Sequence, residues 1–180
     1  MNKDETLTLA GGCFWCIEAV FSNLKGVSKA VSGYAGGTTP HPSYEAVSTG
    51  QTGHAEVVQI TFDPAVVTLH DILTIFFTLH NPTALNRQGA DVGSQYRSAI
   101  FYSNEEQKEA AKRVVQEIAD AGIWKDPLVT ELTALDIFYE AEPYHQNFFK
   151  QHPEQGYCQA IIAPKLAKLR NEYRNKLRGE

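Results

Sequence analysis

The 180-residue chain has no hydrophobic run long enough to cross a bilayer; its most apolar stretch, residues 72–79, is far too short. Cysteine is scarce. Three cysteines are too few for the disulfide framework of a small secreted domain, so each thiol is read as reactive, metal-binding or simply buried. A basic stripe interleaved with aromatics is also missing: the net charge is −5 and the basic residues gather toward the C-terminus, which excludes nucleic acid as an expected partner. The opening Met1-Asn2-Lys3-Asp4-Glu5 carries no apolar leader core, so a cytoplasmic protein without membrane association is expected. No repeat, linker or low-complexity tract interrupts the chain. With 43% hydrophobic and 21% charged residues, it is expected to form a single catalytic domain over 1–180 with an ordinary buried core.

What is present alternates between the two regular periods. Residues 5–10 read as a short strand that breaks on Gly11-Gly12, and Phe14, Ile17, Val20, Phe21 and Leu24 then repeat at helical spacing toward Gly26. A second strand is expected at 27–31, followed by a Gly/Pro-rich loop over 33–42, and residues 44–53 are ambiguous. The alternation across 54–62 predicts a strand stopped by Asp63-Pro64. Thr68 with Asp71 has the form of a capping box opening a helix over 69–79. A long polar loop is expected at 81–95, a strand at 96–102, and a helix over 105–121 capped by Asn104, with Val114, Val115 and Ile118 inward and Gly122 at its end. A strand at 129–138, a helical turn at 143–149, a loop at 155–158 and a terminal helix over 164–177 complete the prediction. Strands interleaved with helices define an α/β or α+β class, with strand order left open.

The chemistry concentrates at the glycine corner. Cys13 is expected at a helix N-terminus, where free N–H groups and the positive end of the macrodipole favour a thiolate. Cys16 completes a C-x-x-C pair, and Cys158 in a Gly-Tyr-Cys loop is a third thiol that a redox relay could use; burial as small hydrophobes is the alternative for each. His54 and Glu56 share one face of a strand. With the cysteines they admit a zinc reading, but the cysteine pair precedes the histidine and no proline precedes Cys13, against the order of zinc deaminases. Tyrosines 34, 44, 96, 144 and 157 lie in or beside predicted loops, where phenols can donate to a developing anion, or simply pack. Asp91 sits in the long loop, free to bind an arginine, orient a tyrosine or face water. Two further classes stay open: a thioredoxin-like dithiol oxidoreductase, and a binding module stabilised by zinc on Cys13, Cys16, Cys158 and a histidine.

Five separated motifs in order carry a resemblance: Gly11-Gly12-Cys13-Phe14-Trp15, Gly33-Tyr34-Ala35-Gly36-Gly37, Gly53-His54-Ala55-Glu56, Asp91 followed by Gly93-Ser94-Gln95-Tyr96-Arg97-Ser98-Ala99, and Tyr144-His145-Gln146. Over residues 7–157 the chain resembles the A-class peptide methionine sulfoxide reductases. The resemblance implies a mixed sheet with flanking helices in a two-layer sandwich, and reduction of the S epimer of methionine sulfoxide, free or within oxidised proteins. It implies no cofactor and no metal, a monomer, and thioredoxin or another dithiol as reductant. Carried over, Cys13 is the nucleophile, Glu56 the acid, Tyr44 and Tyr96 the hydroxyl donors and Asp91 the acid near them. Phe14, Trp15 and His145 become substrate contacts. The family's usual glycine after Phe-Trp is Cys16 here, so two resolving thiols compete. Cys158, expected in a recycling loop within 155–180, is favoured, because an i, i+3 pair on a helix needs distortion to reach disulfide geometry.

Overall fold

The computed structural model describes residues 3–179. Leu7 and Leu9 alternate with Thr8 and Ala10 along strand β1 (Glu5–Gly11), sending large side chains to one face of a sheet and small ones to the other. The same alternation in β3 (Ala55–Phe62) puts Val58, Ile60 and Phe62 beside them, and β2 (Val27–Ala35) adds Tyr34. These strands, with β6 (Ser98–Tyr102), β7 (Glu131–Ala134) and β8 (Tyr139–Glu140), form a six-stranded sheet of order β7-β6-β1-β3-β2-β8. All neighbours are antiparallel except β6 and β7. That parallel pair requires a crossover, supplied by helix α4 (Glu105–Asp120).

Helices cover the face that carries the large side chains. α1 (Phe14–Phe21) lies over the centre of the sheet, and α3 (Leu69–Leu79) and α4 pack beside it against one another. The opposite face is thin: Ala10, Ala35, Ala55, Val57, Ala99 and Phe101 are closed over by Leu135 and Phe138 alone. The result is the mixed α/β sandwich expected, with almost all of the core on the helix side.

The local signals for helix starts hold. Thr68 Oγ1 accepts from the Asp71 N–H at 3.1 Å while Asp71 Oδ2 accepts from the Thr68 N–H at 3.2 Å, and Asn104 Oδ1 accepts from the Gln107 N–H at 2.9 Å. Other boundaries move, for tertiary reasons. Residues 33–35 belong to β2, not to a loop, because glycine at 33 is what lets the strand pass Phe138, whose ring lies 2.4 Å from where a Cβ would sit. The ambiguous 44–53 segment begins with a short helix, α2 (Tyr44–Ser48), capped by the Ser43 hydroxyl. The polar loop contains a hairpin of β4 (Arg87–Gln88) and β5 (Asp91–Val92), and Tyr96 lies in a 3-10 turn before β6 rather than in the strand. Of the expected 129–138 strand only Glu131–Ala134 forms β7; residues 135–138 leave the ladder to cover the thin face, and β8 begins just beyond them at Tyr139.

At the C-terminal end, α5 (Phe148–Gln151) is followed by a π-helical turn, Cys158–Ile162, leading into α6 (Ala163–Glu172) and a 3-10 turn at Arg174–Lys176. Cys158 is therefore fully buried against the helix layer, not displayed on a loop. Arg178 ties the chain end back by donating to the Leu24 and Val27 carbonyls.

The junction between β1 and α1 sets where the helix begins. Gly12, with φ +97°, turns the chain there, and an added Cβ would meet Gln88 Cβ and Cγ at 3.0 Å. Gln88 cannot yield, since its side chain accepts from the Asn81 N–H and donates to the Asn81 carbonyl. Gly12→Ala is expected to cost about 1–3 kcal/mol through the left-handed φ and the overlap, read as a lower denaturation midpoint at unchanged m-value.

Candidate active site

Cys13 is the N-cap residue of α1, placed where β1 ends and the helix begins. The first turn of a helix has N–H groups with no partner inside it. Here that of Phe14 is taken by a side chain from the neighbouring strand: it donates to Glu56 Oε1 at 3.1 Å. Glu56 continues the alternation of Val58, Ile60 and Phe62, so an acid occupies a position where the sheet otherwise places core side chains. It is 1% exposed. Burial raises its carboxyl to about 8, against the lowering effect of the Phe14 N–H, with the charge of Asp91 adding to the rise. A carboxyl raised this far is mostly neutral at neutral pH, with one oxygen accepting from the helix.

The phenols sit around this carboxyl. Tyr44 is pushed up to about 12, chiefly by burial and then by the fields of Glu56 and Cys13. Tyr96 is also raised by burial and by Glu56, Tyr44, Asp91 and Cys13. Both are thus held as hydroxyl donors in one shared environment. Asp91 arrives on the hairpin, and its Oδ2 accepts from the Tyr157 hydroxyl at 2.9 Å.

Aromatic rings form the wall. Phe14 is fully buried and lies parallel to Tyr44, with centroids 6.3 Å apart. Trp15, half-buried, stacks on Phe148 at 3.7 Å and donates from Nε1 to His145 Nδ1 at 3.1 Å. Since Nδ1 accepts, the neutral His145 ring carries its proton on Nε2, which is buried without a hydrogen-bond partner among the described residues. Burial holds this imidazole below its usual pKa.

The cysteines differ from the sequence expectation. For Cys13, burial works against the thiolate that a helix start favours and pushes its thiol well up, with the neighbouring Cys16 and Glu56 acting the same way and the Trp15 N–H opposing them. Cys16 is lowered to about 7, chiefly by its neighbour Cys13 and against burial, with Lys165 and Tyr157 also favouring its thiolate. Cys16 also lies 3.7 Å from the Tyr157 hydroxyl. Cys158 points elsewhere, toward Gln155 Oε1 at 3.9 Å, and burial raises its thiol. Cys16 follows Cys13 by one helical turn, its backbone N–H donating to the Cys13 carbonyl at 3.2 Å, and it is the thiol whose field acts on Cys13.

Several supports had no clear signal in the sequence. Tyr34, placed by register opposite Glu56, donates to Glu142 Oε1 at 2.8 Å, and Glu142 Oε2 accepts from the Tyr44 N–H at 3.1 Å, fixing the start of α2. Glu18, buried within α1, accepts from the Ser32 hydroxyl at 2.8 Å and the Asn147 N–H at 2.6 Å, drawing the His145 segment onto the helix. His54 is not a ligand candidate: Nδ1 accepts from the Gly37 N–H and Nε2 donates to the Thr39 carbonyl, so the ring pins the loop after β2. Among the described residues no three His, Cys, Asp or Glu side chains gather as a metal site. None of the described helices is long and apolar enough to cross a membrane.

Comparison with known proteins accords with this geometry. The family model described as "Peptide methionine sulfoxide reductase" matches residues 5–177. A relative named peptide methionine sulfoxide reductase MsrA, from Polynucleobacter asymbioticus, is 57% identical over 95% of this chain and 90% of its own length. Among solved structures, reduced Mxr1 from Saccharomyces cerevisiae superposes with a TM-score of 0.79 at 33% identity, covering 87% of this chain and 90% of that one. Mxr1 in complex with Trx2 shares the fold, with a TM-score of 0.56 at 23% identity over 81% of this chain and 85% of that one. The chain belongs to the peptide methionine sulfoxide reductase family, in its A class, and is a peptide-methionine (S)-S-oxide reductase.

Proposed function

We propose that Cys13 attacks the sulfoxide sulfur while Glu56 protonates the sulfoxide oxygen, and that the cycle closes through Cys16. The observation that carries this reading is the neutral, buried Glu56 carboxyl beside the Cys13–Cys16 pair. A sulfoxide oxygen is a poor leaving group until it is protonated, so an acid whose pKa lies near the working pH is what the step requires. As the Cys13 sulfur attacks, its proton passes to the Cys16 thiolate. The oxygen moves from substrate sulfur to cysteine sulfur, Cys13 becomes a sulfenic acid, and methionine is released. Tyr44 and Tyr96 donate to the oxygen as charge develops there, and Asp91 holds the Tyr157 hydroxyl nearby. Phe14 and Trp15 receive the methyl group on aromatic faces, and the unpartnered N–H of His145 supports its place among the substrate contacts.

The Cys16 thiol then attacks the Cys13 sulfenic sulfur, forming a disulfide and expelling water. The position of Cys16 one turn after Cys13, and the effect of each thiol on the other, support Cys16 as the first partner; Cys158, fully buried and turned toward Gln155, is assigned a later role. An external dithiol reduces the disulfide by exchange. The complex of yeast Mxr1 with Trx2 supports thioredoxin as that dithiol for this chain.

Cys13→Ser is expected to abolish methionine release in single turnover; retained turnover would end the reading. Release by the wild-type protein should fall as pH rises through about 8, where Glu56 loses its proton, and Glu56→Gln should lose that limb while slowing the step by ~10²–10⁴-fold with little change in substrate binding. For the resolving step, Cys158→Ser should still form an intramolecular disulfide on one equivalent of the S sulfoxide, and Cys16→Ser should accumulate sulfenic acid. Peptide mapping by mass spectrometry that finds Cys13 joined to Cys158 in the wild-type protein at the earliest times would instead assign first resolution to Cys158.

A further inference from the structure

The Tyr157 hydroxyl stands between two acceptors that compete for its single proton. Its ring is half-buried, held edge-on to Trp15 with centroids 5.9 Å apart, and its oxygen lies 2.9 Å from Asp91 Oδ2 and 3.7 Å from Cys16 Sγ. A phenol has one O–H to give. With that proton on the Asp91 side, Cys16 meets an oxygen lone pair and is favoured as a thiol that donates. When the hydroxyl rotates, it donates to sulfur and favours the Cys16 thiolate, leaving Asp91 with its charge unshared. Neither contact depends on the substrate pocket being filled.

We propose that Tyr157 is a positioning residue for Cys16: anchored by Asp91, its hydroxyl sets the direction and the charge state of the thiol that resolves the Cys13 sulfenic acid. The proposal rests on the reading of Cys16 as the resolving thiol. In the step concerned, the Cys16 thiolate attacks the Cys13 sulfur, the S–O bond breaks, and hydroxide leaves as water with the proton that Cys16 gave up; no external oxidant or reductant takes part. The phenol stays protonated throughout and only changes the acceptor it serves. Burial and the neighbouring charges hold its own pKa far above neutrality, consistent with a hydroxyl that donates but does not ionise.

Other groups also act on Cys16 and must be separated from Tyr157. Cys13 at the helix start and Lys165 on α6 favour its thiolate, and Asp91 on the hairpin opposes it. Glu56 on β3 and Cys158 on the π-helical turn both feel the Cys16 charge, and so act on it in return. Tyr157 differs from these in being tied to one of them. Its removal and the removal of the Asp91 charge therefore act in opposite directions, which general loosening of the site does not produce.

The test follows two pH profiles in the reduced, full-length protein. The first is alkylation of Cys16 by iodoacetamide, located by peptide fragmentation, which needs no catalysis. The second is disulfide formation after one equivalent of methionine S-sulfoxide. In Tyr157→Phe both midpoints are expected to rise together by about 0.5–1 pH unit, the size of one lost hydrogen bond to the charged form. In Asp91→Asn the alkylation midpoint should fall, and the fall should shrink in Asp91→Asn/Tyr157→Phe, where no phenol proton remains to be released. An unmoved alkylation midpoint in Tyr157→Phe, with near-ultraviolet dichroism intact, overturns the proposal. A moved alkylation midpoint with an unmoved disulfide profile overturns the underlying assignment of Cys16 as the resolving thiol.

Discussion

The hydrogen bond from the Phe14 N–H to Glu56 Oε1 joins the helix layer to the sheet beside the Cys13–Cys16 pair. A carboxyl group so deeply buried is costly as a charge and tolerable as a neutral acid with a partner. The first turn of α1 supplies that partner, and the helix N-terminus it uses would otherwise have favoured ionisation. Desolvation outweighs the helix. Both Glu56 and the Cys13 thiol respond in that direction: each is kept protonated by lack of water, although a helix start borders both.

Around that contact the fold converts ordinary packing into alignment. Antiparallel register sets Tyr34 opposite Glu56, and through Glu142 the Tyr34 hydroxyl fixes the first residue of α2, which is Tyr44. On the other side of α1, Glu18 and the Gln146 side chain fasten the 145–147 segment to the helix and to β2, so that His145 meets Trp15. These are buried polar ties rather than substrate contacts. Each satisfies groups that would be expensive to leave unpaired.

Much of the fold is legible in the sequence where the signal is local. The capping box at Thr68, the Asn104 cap and the helical stripe over 69–79 depend on residues three or four apart, and they appear as expected. Loop boundaries fare worse. Gly33 reads as loop by composition, yet it is strand because Phe138, more than a hundred positions away, needs the room. The hairpin that delivers Asp91 is two two-residue strands inside a polar stretch, with no periodicity to reveal it. Cys158 reads as a loop thiol from its Gly-Tyr neighbours, but the π-helical turn carries it into the core.

By itself the sequence determined the residue types at the site and their order along the chain: a cysteine after two glycines, a carboxylate two positions after a histidine, and the motifs that mark the family. Those follow from local periodicity and from chemistry that specific side chains alone can perform. Only the tertiary structure decided which groups are charged and which thiol faces which. Protonation depends on how much water the fold removes, and the Phe14–Glu56 hydrogen bond and the Asp91–Tyr157 link span 42 and 66 positions of chain that only packing brings together.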